Sequence, residues 1–139
     1  MDIIALIISF LALGLSAVQY LEESSRQKKE ATLNIYNRLQ DDVFSKLKKY
    51  DLKSLEKGDK GWDEVTTCLA KIENFSVGIN TNIYSIDILN SLGGNFFVEQ
   101  HDNLIPIINK KREEDKGNKH YDQFQKVVER LKKKRGITE

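Results

Sequence analysis

An uninterrupted apolar run near the start of the chain limits its fold more than any other feature. Nineteen residues between Asp2 and Glu22, IIALIISFLALGLSAVQYL, contain no charged side chain and no proline. As a helix with a rise of about 1.5 Å per residue, the run extends about 28 Å, close to the hydrocarbon thickness of a bilayer. We therefore predict that residues 3–21 form a transmembrane helix, within an anchor segment that covers residues 1–24.

Two other kinds of structure use an apolar run of this length. A secretory signal peptide has a basic start and small residues before its cleavage point. Here the start is the acidic residue Asp2. The best cleavage site would follow Ala17, but the large side chain of Leu15 stands where such a site needs a small residue. A buried helix of a soluble protein usually has a polar face, whereas this run offers only serine, glycine and glutamine. A membrane span therefore fits the run better than either alternative.

The flanks of the run predict its orientation. Arg26, Lys28 and Lys29 follow the run, and no basic side chain precedes it. Because lysine and arginine resist translocation, we expect the short N-terminus outside and residues 25–139 in the cytosol. This predicts a single-pass protein of the inner (cytoplasmic) membrane. The single cysteine, Cys68, cannot form an internal disulfide and agrees with a reducing compartment.

Small and polar residues recur along one face of the predicted span. Their spacing of three or four places them on one side of a helix, and they are Ala5, Ser9, Ala12, Ser16 and Gln19. Small side chains let helices approach closely, and serine or glutamine can form hydrogen bonds across the contact. This stripe predicts homo-oligomerisation, and with enough copies it could line a narrow pore. The alternative is chance, because small residues are common in membrane helices.

The rest of the chain shows apolar residues at helical spacing almost throughout. Residues 74–98 would also suit strands by propensity, but the spacing and the flanking helices favour helix. We predict an all-α fold, in which the anchor is followed by a cytosolic bundle of about five helices at residues 25–139. The helices run from about Ser25 to Tyr50, from Trp62 to Ile79, from a cap at Ser85 to Leu92, from Asn95 to about Asp115 with a kink at Pro106, and from Tyr121 to Leu131. The breaks fall at Gly58 and Gly61, at Gly93 and Gly94, and at Gly117 and Asn118.

Positive charge is concentrated towards the C-terminus. Residues 110–135 hold eleven basic and five acidic side chains, whereas residues 54–109 hold three basic and eight acidic ones. The basic patch consists of two runs, Lys110, Lys111 and Arg112, and then Lys132, Lys133, Lys134 and Arg135. Such a segment can bind anionic lipid headgroups, RNA or an acidic protein surface. The alternative is a solvated helix face with a basic tail.

Chemical motifs are few. There is no glycine-rich phosphate loop, and one cysteine with two histidines cannot build a usual zinc site inside one subunit. We therefore predict no metal, no cofactor and no enzyme. One pair of side chains stands apart, Arg112 and His120, which flank the predicted turn before the last helix. Arginine can stabilise a charged phosphorane and histidine can transfer protons, so these two are weak catalytic candidates.

The pair resembles the Arg-x4–6-His motif of the HEPN nucleases, small all-α domains that cleave RNA as dimers. Here the spacing is one residue longer, and Glu113 stands where that family favours asparagine or another small polar residue. A carboxylate there would repel a phosphate. The resemblance therefore implies a HEPN-like fold without catalysis, with a HEPN-type RNase as the weaker alternative.

Most of the chain after the anchor resembles a family of bacterial proteins of unknown function, each with one N-terminal span and a short helical domain. The blocks that carry this likeness are residues 33–37, 72–75, 104–112 and 121–124. The chain is also similar, more loosely, to the membrane-bound HEPN-like accessory proteins of type VI-B CRISPR systems, which form ring-shaped pores. That likeness implies a homo-oligomeric, membrane-perturbing or pore-forming effector in antiviral defence. The alternative is an anchored adaptor that recruits a cytosolic protein or RNA through the basic segment.

Overall fold

The structure, a computed structural model, describes residues 2–115 and 119–136. Within these ranges there are four helices and no β-strand, which confirms the predicted all-α class. The predicted break at Gly117 and Asn118 lies outside the described residues. The helices are α1 (Ile3–Leu47), α2 (Trp62–Asn80), α3 (Ile86–Glu114) and α4 (Asp122–Lys134).

Helix α1 runs from the apolar segment into the bundle without a break, so the helix predicted from about Ser25 is continuous with the anchor. It is α-helical over Ile3–Leu39, forms one π-helical turn at Gln40–Phe44 and ends at Leu47. A π turn inserts an additional residue and shifts the facing of the side chains that follow. Two adjacent residues of this turn, Val43 and Phe44, are both in the core, each 1% exposed.

The core is formed where all four helices meet. Each of the other three helices contributes one phenylalanine to a cluster around the fully buried ring of Phe97 in α3. The centroid of the Phe97 ring lies 6.4 Å from that of Phe44, 6.0 Å from that of Phe75 and 5.1 Å from that of Phe124, all with edge-to-face geometry. Such aromatic contacts add to the free energy of area burial. The cluster thus joins the four helices at one point.

Helix α3 begins as predicted, but it is kinked where a stop was expected. The Ser85 hydroxyl caps it by accepting from the Ile88 amide at 3.3 Å. At Gly93 the backbone leaves helical geometry (φ −179°, ψ 48°), and the helix then resumes and continues past Pro106 to Glu114. A Cβ at Gly93 would overlap the Tyr36 hydroxyl of α1. The glycine permits this close crossing, so the bundle has four helices instead of five.

The loop between α1 and α2 is held against the C-terminal end of α3 by a hydrogen bond and an ion pair. Lys110 Nζ donates to the Leu55 carbonyl at 2.6 Å and lies 2.9 Å from a Glu56 carboxylate oxygen. The loop ends at Gly61, whose φ of 105° is in the left-handed region that favours glycine. The glycine-containing break predicted here is therefore a loop.

Candidate functional site

The apolar half of α1 stands free of the bundle. Residues 3–27 are all exposed, and none of the most apolar stretch is buried within the chain. Among the described residues this is the one helix long and apolar enough to cross a membrane. A core helix of a soluble domain would bury this surface against its neighbours, and here nothing in the described chain covers it.

The predicted stripe and the bundle lie on opposite sides of α1. At about 100° per residue the five stripe residues share one face. The residues that α1 buries first in the bundle, Thr32, Tyr36 and Leu39, lie about 180° around the helix axis from that face. On the stripe side α1 continues with the exposed polar residues Asn34 and Asn37. The bundle therefore leaves the face that carries Ala5, Ser9, Ala12, Ser16 and Gln19 open along its whole length.

Arg112 and His120 come close together, but their functional groups do not converge. The Arg112 guanidinium donates from Nε to the His120 backbone carbonyl at 2.9 Å and from Nη2 to Gln125 Oε1 at 3.1 Å. The His120 imidazole turns instead to Asp115, with Nε2 2.9 Å from Oδ2. Arg112 therefore connects the end of α3 to residues at the start of α4, and within the chain the Arg112 and His120 side chains do not face a common phosphate position.

The predicted basic patch is divided between two ends of the bundle. Helices α3 and α4 pack against each other, and the ion pair between Lys134 and Asp87 at 2.7 Å, which joins the end of α4 to the start of α3, shows that they are antiparallel. Lys110, Lys111 and Arg112 therefore lie at the far end from Lys134 and Arg135, about 30 Å away along α3. Lys110 forms an ion pair with Glu56 of the loop between α1 and α2, and Lys111 lies 3.8 Å from a Glu114 carboxylate oxygen. Most cations of the first run are thus engaged within the chain.

Polar side chains that the sequence did not single out join α2 to α4. The Glu73 carboxylate accepts from the backbone amides of Gln123 at 2.9 Å and Phe124 at 2.8 Å, at the first turn of α4. The amides in the first turn of a helix have no partner within that helix. Further along α2, Asn80 Nδ2 donates to both the carbonyl and the side chain of Gln123 at 3.0 Å. Glu73 therefore caps a helix that begins fifty residues later in the chain.

Cys68 and the histidines do not form a chemical centre in the described part of the chain. The Cys68 thiol is 3% exposed in α2, and burial raises its pKa, as is typical of an inert, buried thiol. No group of three His, Cys, Asp or Glu side chains within residues 2–115 and 119–136 is placed to hold a metal ion.

The fold defines a class of protein in which a helix able to cross a membrane continues directly into a four-helix bundle. A family model described as Domain of unknown function (DUF4760) matches residues 4–131. The chain therefore belongs to the DUF4760 family, and the match includes both the apolar half of α1 and nearly all of the bundle. No curated protein and no solved structure matches the chain.

Proposed function

We propose that this protein is a homo-oligomeric membrane effector that perturbs or perforates a bilayer. In this proposal residues 3–21 cross the inner membrane once, with the N-terminus outside and the bundle in the cytosol. The side follows from Arg26, Lys28 and Lys29, which come directly after the apolar run. A role in antiviral defence is part of the same proposal and rests on the resemblance alone.

The observation that supports assembly is the placement of the bundle on α1. Because the bundle packs on the side opposite the stripe, spans from several copies can meet through Ala5, Ser9, Ala12 and Ser16 while their bundles lie outside the contact. The Ser9 hydroxyl already has an acceptor, the Ala5 carbonyl at 2.9 Å. A small-residue face of this kind permits close backbone approach without a buried, unpaired hydroxyl.

Rigid coupling supports an effector over a flexible tether. The segment between span and bundle, residues 22–31, is helical and contains neither glycine nor proline. Within it Arg26 pairs with Glu23 at 2.6 Å and with Glu30 at 2.9 Å, which favours a helical conformation in water. A change in how the bundles associate would therefore rotate or tilt the spans.

Reconstitution into dye-loaded liposomes tests this proposal. We expect the full chain to cause leakage and to form oligomers in detergent, and we expect a Ser9→Leu/Ser16→Leu variant to lose both properties. The matched control is Gly14→Leu, which adds the same side chain about 180° away from the stripe. A wild-type protein that causes no leakage, or equal behaviour of the two variants, would contradict the proposal.

The second candidate is the anchored adaptor that holds a cytosolic protein or RNA through its basic C-terminal segment. It is favoured by Lys132 and Lys133, which make no ion pair within the described residues. Replacing residues 3–21 with an unrelated span in the same assay separates the candidates. An adaptor keeps its cellular function after this exchange, whereas an effector that works through the stripe does not.

A further inference from the structure

The turn between α2 and α3, residues 81–85, is the part of the bundle that first meets the helix leaving the membrane. Lys28 of α1 donates to the Asn82 side chain, and the Ser85 amide donates to Thr32 Oγ1 at 2.8 Å. Lys28 is seven residues beyond Leu21, the last residue of the apolar run. This end of the bundle therefore begins about 10 Å beyond the hydrocarbon, if α1 lies along the membrane normal.

The C-terminal end of α4 lies at this same membrane-proximal end. Arg130 donates to Asn80 Oδ1 at 3.1 Å, just before the turn. Arg135 Nη2 donates to the Asn90 carbonyl at 2.8 Å, near the start of α3. The resulting group of basic residues is called the proximal cluster and consists of Lys28, Arg130, Lys132, Lys133, Lys134 and Arg135.

The proximal cluster carries more positive charge than the acids around it balance. Asp87 pairs with Lys134, and Glu129 lines the same surface as Arg130 and Lys133. The Lys134 ammonium lowers the pKa of the Asp87 carboxyl, and the charges of Lys28 and Arg130 lower it further. These three cations come from two helices, Lys28 from α1 and Arg130 and Lys134 from α4, and their contacts with Asn82, Asn80 and Asp87 place them at the same end of the bundle.

The distance to the bilayer allows this surface to interact with headgroups. The headgroup layer adds about 5–8 Å beyond the hydrocarbon on each side. The near end of the bundle then lies only a few ångströms from that layer, within the Debye length of about 8 Å at physiological ionic strength. Ile83, at the tip of the turn, is 64% exposed and adds an apolar contact on the same side.

We propose that the proximal cluster binds the headgroups of anionic phospholipids in the membrane that α1 crosses. This inference rests on the proposed span, but it does not require a pore. It assigns a ligand to only the second of the two basic runs. The first run lies at the opposite end of the bundle, where Lys110 and Arg112 are held by contacts within the chain.

Fluorescence quenching in nanodiscs tests the proposal with the full chain. A Cys68→Ala/Thr81→Cys protein carries one fluorophore on the exposed turn, and the discs contain a headgroup-linked quencher. The lipid is either zwitterionic phosphatidylcholine alone or the same lipid with about a third of anionic phosphatidylglycerol. We expect quenching to be at least about twofold stronger with anionic lipid, because each nearby lysine adds to the attraction. The gain should disappear near 1 M salt, where the Debye length falls to about 3 Å.

Two matched variants assign the effect to the proximal cluster. Lys132→Gln/Lys133→Gln should lose most of the gain, whereas Lys48→Gln/Lys49→Gln, an equal charge change on two exposed lysines at the far end, should keep it. Equal quenching in both lipids, or equal loss in both variants, overturns the proposal. Displacement by an RNA oligonucleotide at physiological salt would identify an RNA site instead and would also overturn it. Failure of the chain to enter the discs would refute the span itself, which is a different result from entry without a lipid-dependent gain.

Discussion

The two halves of α1 place similar side chains in opposite surroundings. Phe10, in the apolar half, is 67% exposed, and Phe44, in the half that packs in the bundle, is 1% exposed. Both belong to one helical element of 45 residues. The second half is buried along one side only, whereas the first is apolar on nearly every side and has no partner within the described chain. The difference indicates that the bundle folds around its own core and that the apolar half requires another environment.

The core of the bundle provides the largest expected difference between the halves. Phe97→Ala removes the ring at which the four helices meet, and truncating a buried phenylalanine typically lowers the free energy of unfolding by about 3–5 kcal/mol. Phe10→Ala makes the same chemical change in the apolar half and should leave the unfolding of the bundle unchanged. Urea titration in detergent, followed by the fluorescence of the single tryptophan, Trp62, measures both. Equal losses in the two variants would mean that the halves are not independent.

A smaller effect is expected at the cap that α2 provides for α4. Glu73→Ala leaves the amides of Gln123 and Phe124 without their acceptor. A hydrogen bond to a charged group contributes about 1.5–3 kcal/mol to stability, and water can replace part of that contribution here because Glu73 is partly exposed. We expect a loss of about 1–3 kcal/mol in the same urea titration, with α4 the first helix to gain amide hydrogen exchange. Glu99→Ala, on the exposed side of α3, is the control. An unchanged midpoint for Glu73→Ala would show that water replaces the carboxylate at no cost.

The sequence predicted the parts of the fold that depend on local pattern. The apolar spacing located α2 from Trp62 to Ile79, and the structure ends that helix one residue later. Ser85 was identified as a cap because its side chain needs only the amides of the next turn. The length and composition of residues 3–21 were enough to identify a helix able to cross a membrane. Each of these features involves residues close together in the chain.

The features that the sequence did not reveal depend on residues far apart in the chain. Glu73 looks like an ordinary exposed carboxylate until α4 is placed beside it, fifty residues later. Gly93 reads as a helix stop, because the crossing with Tyr36 that it permits cannot be seen locally. The two basic runs read as one segment, because only the antiparallel packing of α3 and α4 separates them. Tertiary packing therefore decides the roles of these residues.

A pH titration offers the finest comparison, because residues 3–21 contain no side chain that titrates near neutrality, whereas the bundle contains a partly buried histidine. The His101 side chain is 13% exposed and packs edge-on against Phe124, with ring centroids 4.9 Å apart. Burial lowers its pKa below the ordinary value. The charged groups that also act on it are Asp102 and Glu129, which raise the pKa, and Lys132 and Arg112, which lower it.

The sign of the pH effect follows from the lowered pKa of His101. Below about pH 6.5 the unfolded chain binds a proton at this residue more readily than the folded chain does, so the free energy of unfolding falls as the pH falls towards the folded pKa. Between about pH 7 and pH 5 we expect the free energy of unfolding to fall further in the wild type than in His101→Gln. This difference between the two proteins should be smaller than the loss caused by Glu73→Ala. Carboxylates titrate in both proteins, so the difference between their slopes isolates the histidine. If the free energy of unfolding of the two proteins changed with pH at the same slope, the prediction would be contradicted. A separate measurement, extraction of the chain from membranes, tests the apolar half: pH-dependent extraction would show that this half also responds to the charge of the bundle.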